Sequence, residues 1–173
     1  KKTGKQVGEV FPFFNLFIYG GVNFDPYKKT FSSLIGKKVD QIEFFPASEG
    51  FIAYQDKLNE KGMLLCVNHG IFYEFIPLEK FMDGDSQRIM LNDVVLGVNY
   101  VIILNTNAGL WGYNIGDTVR FVSLNPYRII VSGRIKHYTS AFGEHVIAEE
   151  VEKAMEKTLG NWNEDISINE FHV

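Results

Sequence analysis

Only one cysteine stands in this chain of 173 residues, so no internal disulfide can form. Cys66 sits in the apolar run Met63-Leu64-Leu65-Cys66-Val67, where a reduced core thiol is expected, and a reduced thiol suits a cytoplasmic compartment. An excess of positive charge is missing too. The formal net charge is −4, the pI is near 5.6, and Lys and Arg are scattered among Asp and Glu, which leaves no electrostatic footprint for a nucleic-acid partner. No stretch approaches the roughly 18 consecutive apolar residues of a membrane span. Lys1-Lys2-Thr3-Gly4-Lys5 leads into no signal-peptide core, so no membrane partner is expected. Of His69, His137, His145 and His172, no two have a metal-ligand spacing within a coherent helix, and no zinc site is expected. Asp83-Gly84-Asp85 is too short for a calcium loop and reads as a surface turn. There is no internal repeat and no low-complexity stretch. Apolar residues, by contrast, are plentiful: 46%, with 14% aromatics, is enough to bury one good core, or one and a fraction.

Short β-type runs separated by Gly, Asn, Asp and Pro dominate the chain. Phe13 to Tyr19 reads as a buried strand ending at Gly20-Gly21. From Pro26 to Ile35 the positions Tyr27, Phe31, Leu34 and Ile35 keep a helical spacing, and Gly36 stands where the helix should stop. Asp40 to Phe45 supplies a second strand, so a strand–helix–strand unit is expected, both strands running into small-residue loops where ligands bind. The runs Met63 to Val67, Ile71 to Ile76, Val98 to Leu104, Thr118 to Leu124 and Arg128 to Val131 then predict an antiparallel meander, curved into a sheet or half-barrel. After Gly133 the pattern changes to an amphipathic helix over Glu144 to Leu159, and Ser167 to Val173 opens another strand. The last forty or so residues are too few to close a core of their own and look like the beginning of a small second domain, so the chain reads as cut at both ends. The predicted class is α/β.

Three segments carry candidate chemistry. In Phe45-Pro46-Ala47-Ser48-Glu49-Gly50, a hydroxyl and a carboxylate in adjacent loop positions suit a phosphoryl oxygen and a Mg²⁺ ion, and Phe45 offers a flat face for a base. A Ser-Glu-Gly turn closing a strand is nevertheless common. In Tyr113-Asn114-Ile115-Gly116-Asp117, Gly116 permits a sharp turn that presents Asp117 to paired hydroxyls such as those of ribose, although such a segment is more often a hairpin. Gly133-Arg134-Ile135-Lys136-His137 places cationic side chains where sheet gives way to helix, with a solvated linker as the plainer reading. Phe72, Tyr73 and Phe75 could line a pocket, but an alternating aromatic strand is more often core. Glu144 is as well explained by the N-terminus of the expected helix as by a functional role.

In order and spacing the chain resembles the auxin-responsive acyl acid–amido synthetases, within the adenylate-forming superfamily that includes firefly luciferase and acyl-CoA synthetases. The resemblance is carried by Tyr19-Gly20-Gly21-Val22-Asn23-Phe24, Phe45-Pro46-Ala47-Ser48-Glu49-Gly50-Phe51, Gly70-Ile71-Phe72-Tyr73-Glu74-Phe75-Ile76-Pro77, Ile115-Gly116-Asp117-Thr118-Val119-Arg120-Phe121 and Gly133-Arg134-Ile135-Lys136-His137, in family order. It implies ATP and Mg²⁺ as cofactors. Gly20 and Gly21 would lie against the adenine and Phe45 would stack on it. Ser48 would bond the phosphoryl group, Glu49 would bind Mg²⁺, Asp117 would hold the ribose hydroxyls, and Arg134 would reach the same nucleotide. Ser48, Glu49 and Arg134 would form the catalytic set. The implied reaction activates a carboxylic acid as an acyl-adenylate and transfers the acyl group to an amine, such as an amino acid, forming an amide. Residues 1–133 would be the C-terminal part of a large domain, 134–138 a hinge, and 139–173 the start of a small α+β lid.

Two positions depart from the family pattern. Phe45 lacks the hydroxyl of the usual Tyr, and Asn114 stands where the family often has Arg, so Asn114 supplies no charge-assisted contact and is left out of the expected site. A Ser/Thr/Gly-rich phosphate loop is not present in the chain, nor is a complete lid, so this segment alone is expected not to catalyse the full reaction. The alternative reading is a non-catalytic nucleotide-binding or interaction module that keeps an adenylate-type pocket.

Overall fold

Strand β1 (Leu16–Gly20) is followed by a 3₁₀ turn (Asp25–Tyr27), helix α2 (Lys28–Ile35) and strand β2 (Asp40–Ala47), in a computed structural model that describes residues 4–21, 24–135, 139–141, 144–146, 151, 153–155, 157 and 158. A short helix, α1 (Val7–Val10), precedes them. The strand–helix–strand unit forms as its sequence predicts, with β1 and β2 parallel and Ile18 level with Ile42. Pro26 starts the helical segment and Gly36 ends it in the left-handed conformation, φ 76°, its N–H bonding the Ser32 carbonyl. Phe17, Phe24 and Phe31 pack between the strand and the helix, with ring centroids 4.6–5.3 Å apart. Strand β1 is not buried on both sides, contrary to its continuous apolar sequence. It is the first strand of the sheet, and Leu16 and Ile18, pointing away from α2, are exposed.

Strands β3 (Gly50–Tyr54), β4 (Met63–Leu65), β5 (Ile71–Pro77), β6 (Ile89–Met90), β7 (Asn99–Thr106), β8 (Tyr113–Leu124) and β9 (Tyr127–Arg134) complete a nine-stranded sheet in the order β1-β2-β3-β4-β9-β8-β7-β5-β6. A meander therefore exists from β7 to β9, but β4 pairs with β9 rather than with its successor β5. The sheet curls as a half-barrel does. Tyr73 on β5 donates its hydroxyl proton toward the carbonyls of Ile52 (3.4 Å) and Cys66 (3.3 Å), so β5 packs over β3 although the two are not sheet neighbours. The interior holds Ile52, Met63, Phe75, Ile102, Leu104 and Ile129, and the rings of Phe75, Tyr100 and Phe121 meet edge to face. Tyr73 and Phe75 are core as expected, whereas Phe72, on the alternate face, is exposed. Outside the curl, helix α3 (Leu78–Met82) covers Ile76, Val101 and Ile103.

A hairpin of β10 (Thr139–Ala141) and β11 (Glu144–Val146) follows as a separate two-stranded sheet. It corrects the helix expected from Glu144. Ala141 pairs with Glu144 and Thr139 with Val146, so Glu144 to Val146 is strand rather than the start of a helix. Described helical positions begin only at Val151. The strand expected at Ser167 to Val173, with Lys136 and His137, lies outside the described residues.

The two halves of the sheet meet at a buried charge. Arg128 on β9, 1% exposed, donates from Nη1 and Nη2 to the two oxygens of Asp56 at 2.6 and 3.1 Å, and Glu60 Oε1 stands 3.4 Å from its Nε. The hydrogen bonds from Arg128 hold the Asp56 carboxyl below its ordinary value of 3.8. A depressed carboxylate contributes stability above its unfolded pKa and loses it as pH falls through the folded one. Asp56→Ala, which strands the guanidinium, should cost about 3 kcal/mol in urea denaturation at pH 7. Asp56→Asn should lack the part of the wild type's stability loss that sets in below pH 3.8. An unchanged urea midpoint for Asp56→Ala would mean that the pair does not hold the seam.

Candidate functional site

Ser48 and Glu49 are the two turn residues of the β2–β3 hairpin, since Ala47 pairs with Gly50. Ser48 is exposed and Glu49 half-buried. The hairpin is carried across to β5. A Cβ on Gly50 would meet Ile71 Cδ1 at 2.7 Å, so the turn lies against the Ile71 side chain. Alternation along β2 sends Phe45 inward, where it is 5% exposed in the interior cluster, while Phe44 faces the other side and meets the edge of Phe51 at 5.3 Å. Gly20 lies beside this hairpin: a Cβ there would collide with the Phe44 carbonyl oxygen and come within 3.1 Å of Pro46 Cδ. Gly21 follows at φ 79°, with open space about its Cα.

Asp117 is not in the turn expected before a strand; it lies inside β8. Opposite it, the ladder with β7 skips. Ile103 pairs with Asn114 and Val101 with Thr118, so Ile115, Gly116 and Asp117 bulge past Ile102. Gly116 takes φ 85° there. On its other side Asp117 pairs with Arg134, the last residue of β9, whose Nε donates to Asp117 Oδ1 at 2.8 Å. Arg134 is thus a strand residue with its side chain 62% exposed, against 9% for the Asp117 side chain. Burial raises the Asp117 carboxyl above its ordinary 3.8; Arg134 works against that, and the charge of Glu49 adds to it. That last effect places the hairpin carboxylate within electrostatic reach of Asp117.

The structure therefore gathers Glu49, Asp117 and Arg134, with Ser48 adjacent in the turn, Gly20 against the same hairpin and Phe45 beneath it. Asp117 paired with Arg134, and the Glu49 carboxylate within electrostatic reach, leave a local negative charge, which suits a divalent cation that shares its ligands with a phosphate. Among the described residues no group of three His, Cys, Asp or Glu side chains forms a cation cage. A cleft of about 550 Å³ opens beneath the end of α2 between Gln6, Phe31, Gly36, Lys37 and Gln41, and holds none of the expected site residues. Sequence reasoning passed over Glu43 and Tyr19. Burial first, then the Asp25 charge, raises the Glu43 carboxyl, and burial with Glu43 and Asp25 pushes the Tyr19 hydroxyl up to about 12. The signal for Glu43 was a lone carboxylate in the strand Ile42-Glu43-Phe44.

A carboxyl whose pKa is raised by folding binds its proton more tightly in the folded state, so it costs stability as pH rises from its unfolded value through its folded one. Asp117→Asn should therefore be at least as stable as wild type at pH 7, and the difference should close as pH falls toward 3.8. Thermal denaturation across pH 3 to 7 checks this; a variant markedly less stable at pH 7 would show that Asp117 is a structural charge.

Comparison with known proteins bears on this arrangement. Residues 64–134 match the GH3 family central domain, a segment that runs from β4 to Arg134. A jasmonoyl–L-amino acid synthetase, JAR4, of Nicotiana attenuata is 31% identical over 120 residues, 66% of this chain and 21% of its own length. The chain thus spans about a fifth of that relative. A solved GH3.15 acyl acid amido synthetase superposes with a TM-score of 0.61 at 20% identity, covering 77% of this chain and 24% of that one. AtGH3.15 acyl acid amido synthetase in complex with 2,4-DB gives a TM-score of 0.63 at 20% identity, covering 79% and 24%. At such identity the two structures establish the fold, and the α/β class with its curled sheet is theirs. No helix among the described residues is long and apolar enough to cross a membrane. The resemblance drawn from five ordered segments is borne out by the domain match over residues 64–134 and by the sequence relative: this chain is similar to the GH3 family.

Proposed function

We propose that this chain provides one wall of the nucleotide site of an ATP-dependent ligase. The ligase activates a carboxylic acid as an acyl-adenylate and transfers the acyl group to an amine, such as an amino acid, to form an amide. The observation that carries the reading is the buried Asp117 carboxylate held by Arg134 Nε at 2.8 Å, with the charge of Glu49, from the other half of the sheet, acting on it. The names of the relatives, an amino acid synthetase and acyl acid amido synthetases, support the reaction class. A buried Cys66 suits a cytoplasmic setting.

In this reading Gly20 and Gly21, which present backbone without side chains, lie along the base, and Phe45 forms the floor beneath it. Asp117 accepts from the ribose hydroxyls. Because it is buried and already oriented by Arg134, little ordering is left for binding to supply. Arg134, mostly exposed, is free to reach toward the nucleotide from the end of β9 while its Nε remains on Asp117. Ser48 donates to a phosphoryl oxygen. Glu49 is the residue to hold Mg²⁺, which when bound offsets the repulsion between two anionic substrates. Positioning of those substrates supplies much of the remaining acceleration. Residues 134–138 are assigned as the hinge to a lid beginning at 139, consistent with β10 and β11 forming a sheet of their own.

Titration of the protein with ATP and Mg²⁺ tests the assignment. Asp117→Ala should weaken ATP binding about tenfold, the loss of one buried charged acceptor. Glu49→Gln should chiefly raise the Mg²⁺ concentration required. An ATP affinity unchanged in Asp117→Ala would remove the ribose assignment. In the full-length protein, ATP binding without acid-dependent pyrophosphate exchange would point instead to a nucleotide-binding module.

A further inference from the structure

The bulge in β8 raises the question of what holds Asp117 in place. On the β7 side three residues, Ile115 to Asp117, pass the single residue Ile102, so the regular ladder gives this stretch no register partner there. Its central residue, Gly116, sits at φ 85° with nothing within 4 Å of where a Cβ would be. A glycine in open space can adopt many conformations, so its observed one needs a restraint. The structure supplies one: the side-chain oxygen Oδ1 of Asn114 accepts the Gly116 N–H at 2.8 Å, an Asx turn two residues long. The residue that closes this turn is bonded directly to Asp117, whose carboxylate takes the Arg134 Nε–H.

We propose that Asn114 is a positioning residue for the ribose site: by pinning the Gly116 backbone it fixes the direction of the Asp117 carboxylate. The inference rests on Asp117 being the ribose acceptor. It accounts for an asparagine where an arginine would offer charge. A guanidinium has no acceptor and cannot close an Asx turn, whereas Asn and Asp can. Asn114 acts through geometry and contributes nothing to binding except through Asp117.

Binding of ATP and of 2′-deoxy-ATP separates this role from a merely structural one. Wild type should prefer ATP. Asn114→Ala should lose most of that preference, the ratio of the two affinities falling by about fivefold, the usual worth of one hydrogen bond, with 2′-deoxy-ATP binding little changed. Asn114→Asp, which can remake the turn, should restore the ratio even if its charge weakens both nucleotides. Equal losses for the two nucleotides in Asn114→Ala, or an unchanged ratio, would overturn the proposal. Asp117→Ala is the control: if it leaves the ratio at the wild-type value, the ribose reading itself fails and the proposal with it. Without nucleotide, solvent exchange of the Arg134 Nε–H reads the carboxylate's position directly. It should quicken in Asn114→Ala and recover in Asn114→Asp, and exchange at the wild-type rate in Asn114→Ala would also overturn the proposal.

Discussion

The seam between β4 and β9 is the constraint on which the rest of the structure depends. Strands β1 to β4 form one half of the sheet and β5 to β9 the other, and the two are sheet neighbours only where Met63 and Leu64 meet Ile129 and Arg128. So short a ladder fixes register weakly by itself. Arg128 strengthens it from within: its guanidinium, almost wholly buried, must find carboxylates, and those of Asp56 and Glu60 lie in the connection between β3 and β4. A slip of one residue would turn Arg128 to the other face and leave the charge, the carboxylates, or both unpaired. The charge therefore specifies register as much as it adds stability.

The site inherits that dependence, because no single half contains it. Gly20, Phe45, Ser48 and Glu49 belong to the first half; Asp117 and Arg134 to the second. What brings them together is the curl, maintained by Phe45, Ile52, Tyr73 and Phe75 in a shared interior. The interior apolar contacts thus set the distance between two carboxylates that repel each other. Burial and Glu49 both oppose ionisation of Asp117, and only Arg134 favours it. Folding tolerates the unfavourable charge because the hydrophobic core holds the groups in place.

Legibility in the sequence followed locality. The strand–helix–strand unit could be read because its signals are adjacent: Pro26 at the start, Gly36 at the stop, apolar positions at helical spacing between them. The turn at Ser48-Glu49 was visible for the same reason, although the returning strand β3 was not expected. The pairing of β4 with β9 was not, since nothing in Met63-Leu64-Leu65 names a partner more than sixty positions away. Gly116 misled in a particular way. A glycine permits a sharp turn, but the strand continues through it as a bulge, and the β8–β9 ladder shifts register just beyond, between Thr118 and Val119, where the Ser132 hydroxyl donates to that of Thr118 at 3.0 Å. Glu144 misled similarly, because helical spacing farther along was extended back over residues that pair as a strand.

Both errors share a cause that bears on how this site is built. Glycine marks a place where the backbone departs from the commonplace, but it does not say whether the departure ends an element or bends one. The distinction lies in the neighbours' bonding: in β8 the backbone resumes its ladder with β7 at Thr118, so a bend sufficed. Thr118 and Val119, both wholly buried, follow Asp117 in sequence, so an unbroken strand would commit adjacent side chains to strictly alternate faces. The bulge of three residues past Ile102 interrupts that regularity while Thr118 and Val119 stay buried. The setting of Asp117 is therefore a property of the bulge as much as of the side chain, and a search for charged residues alone passes over the neutral Asn114 whose Oδ1 accepts the Gly116 N–H within it.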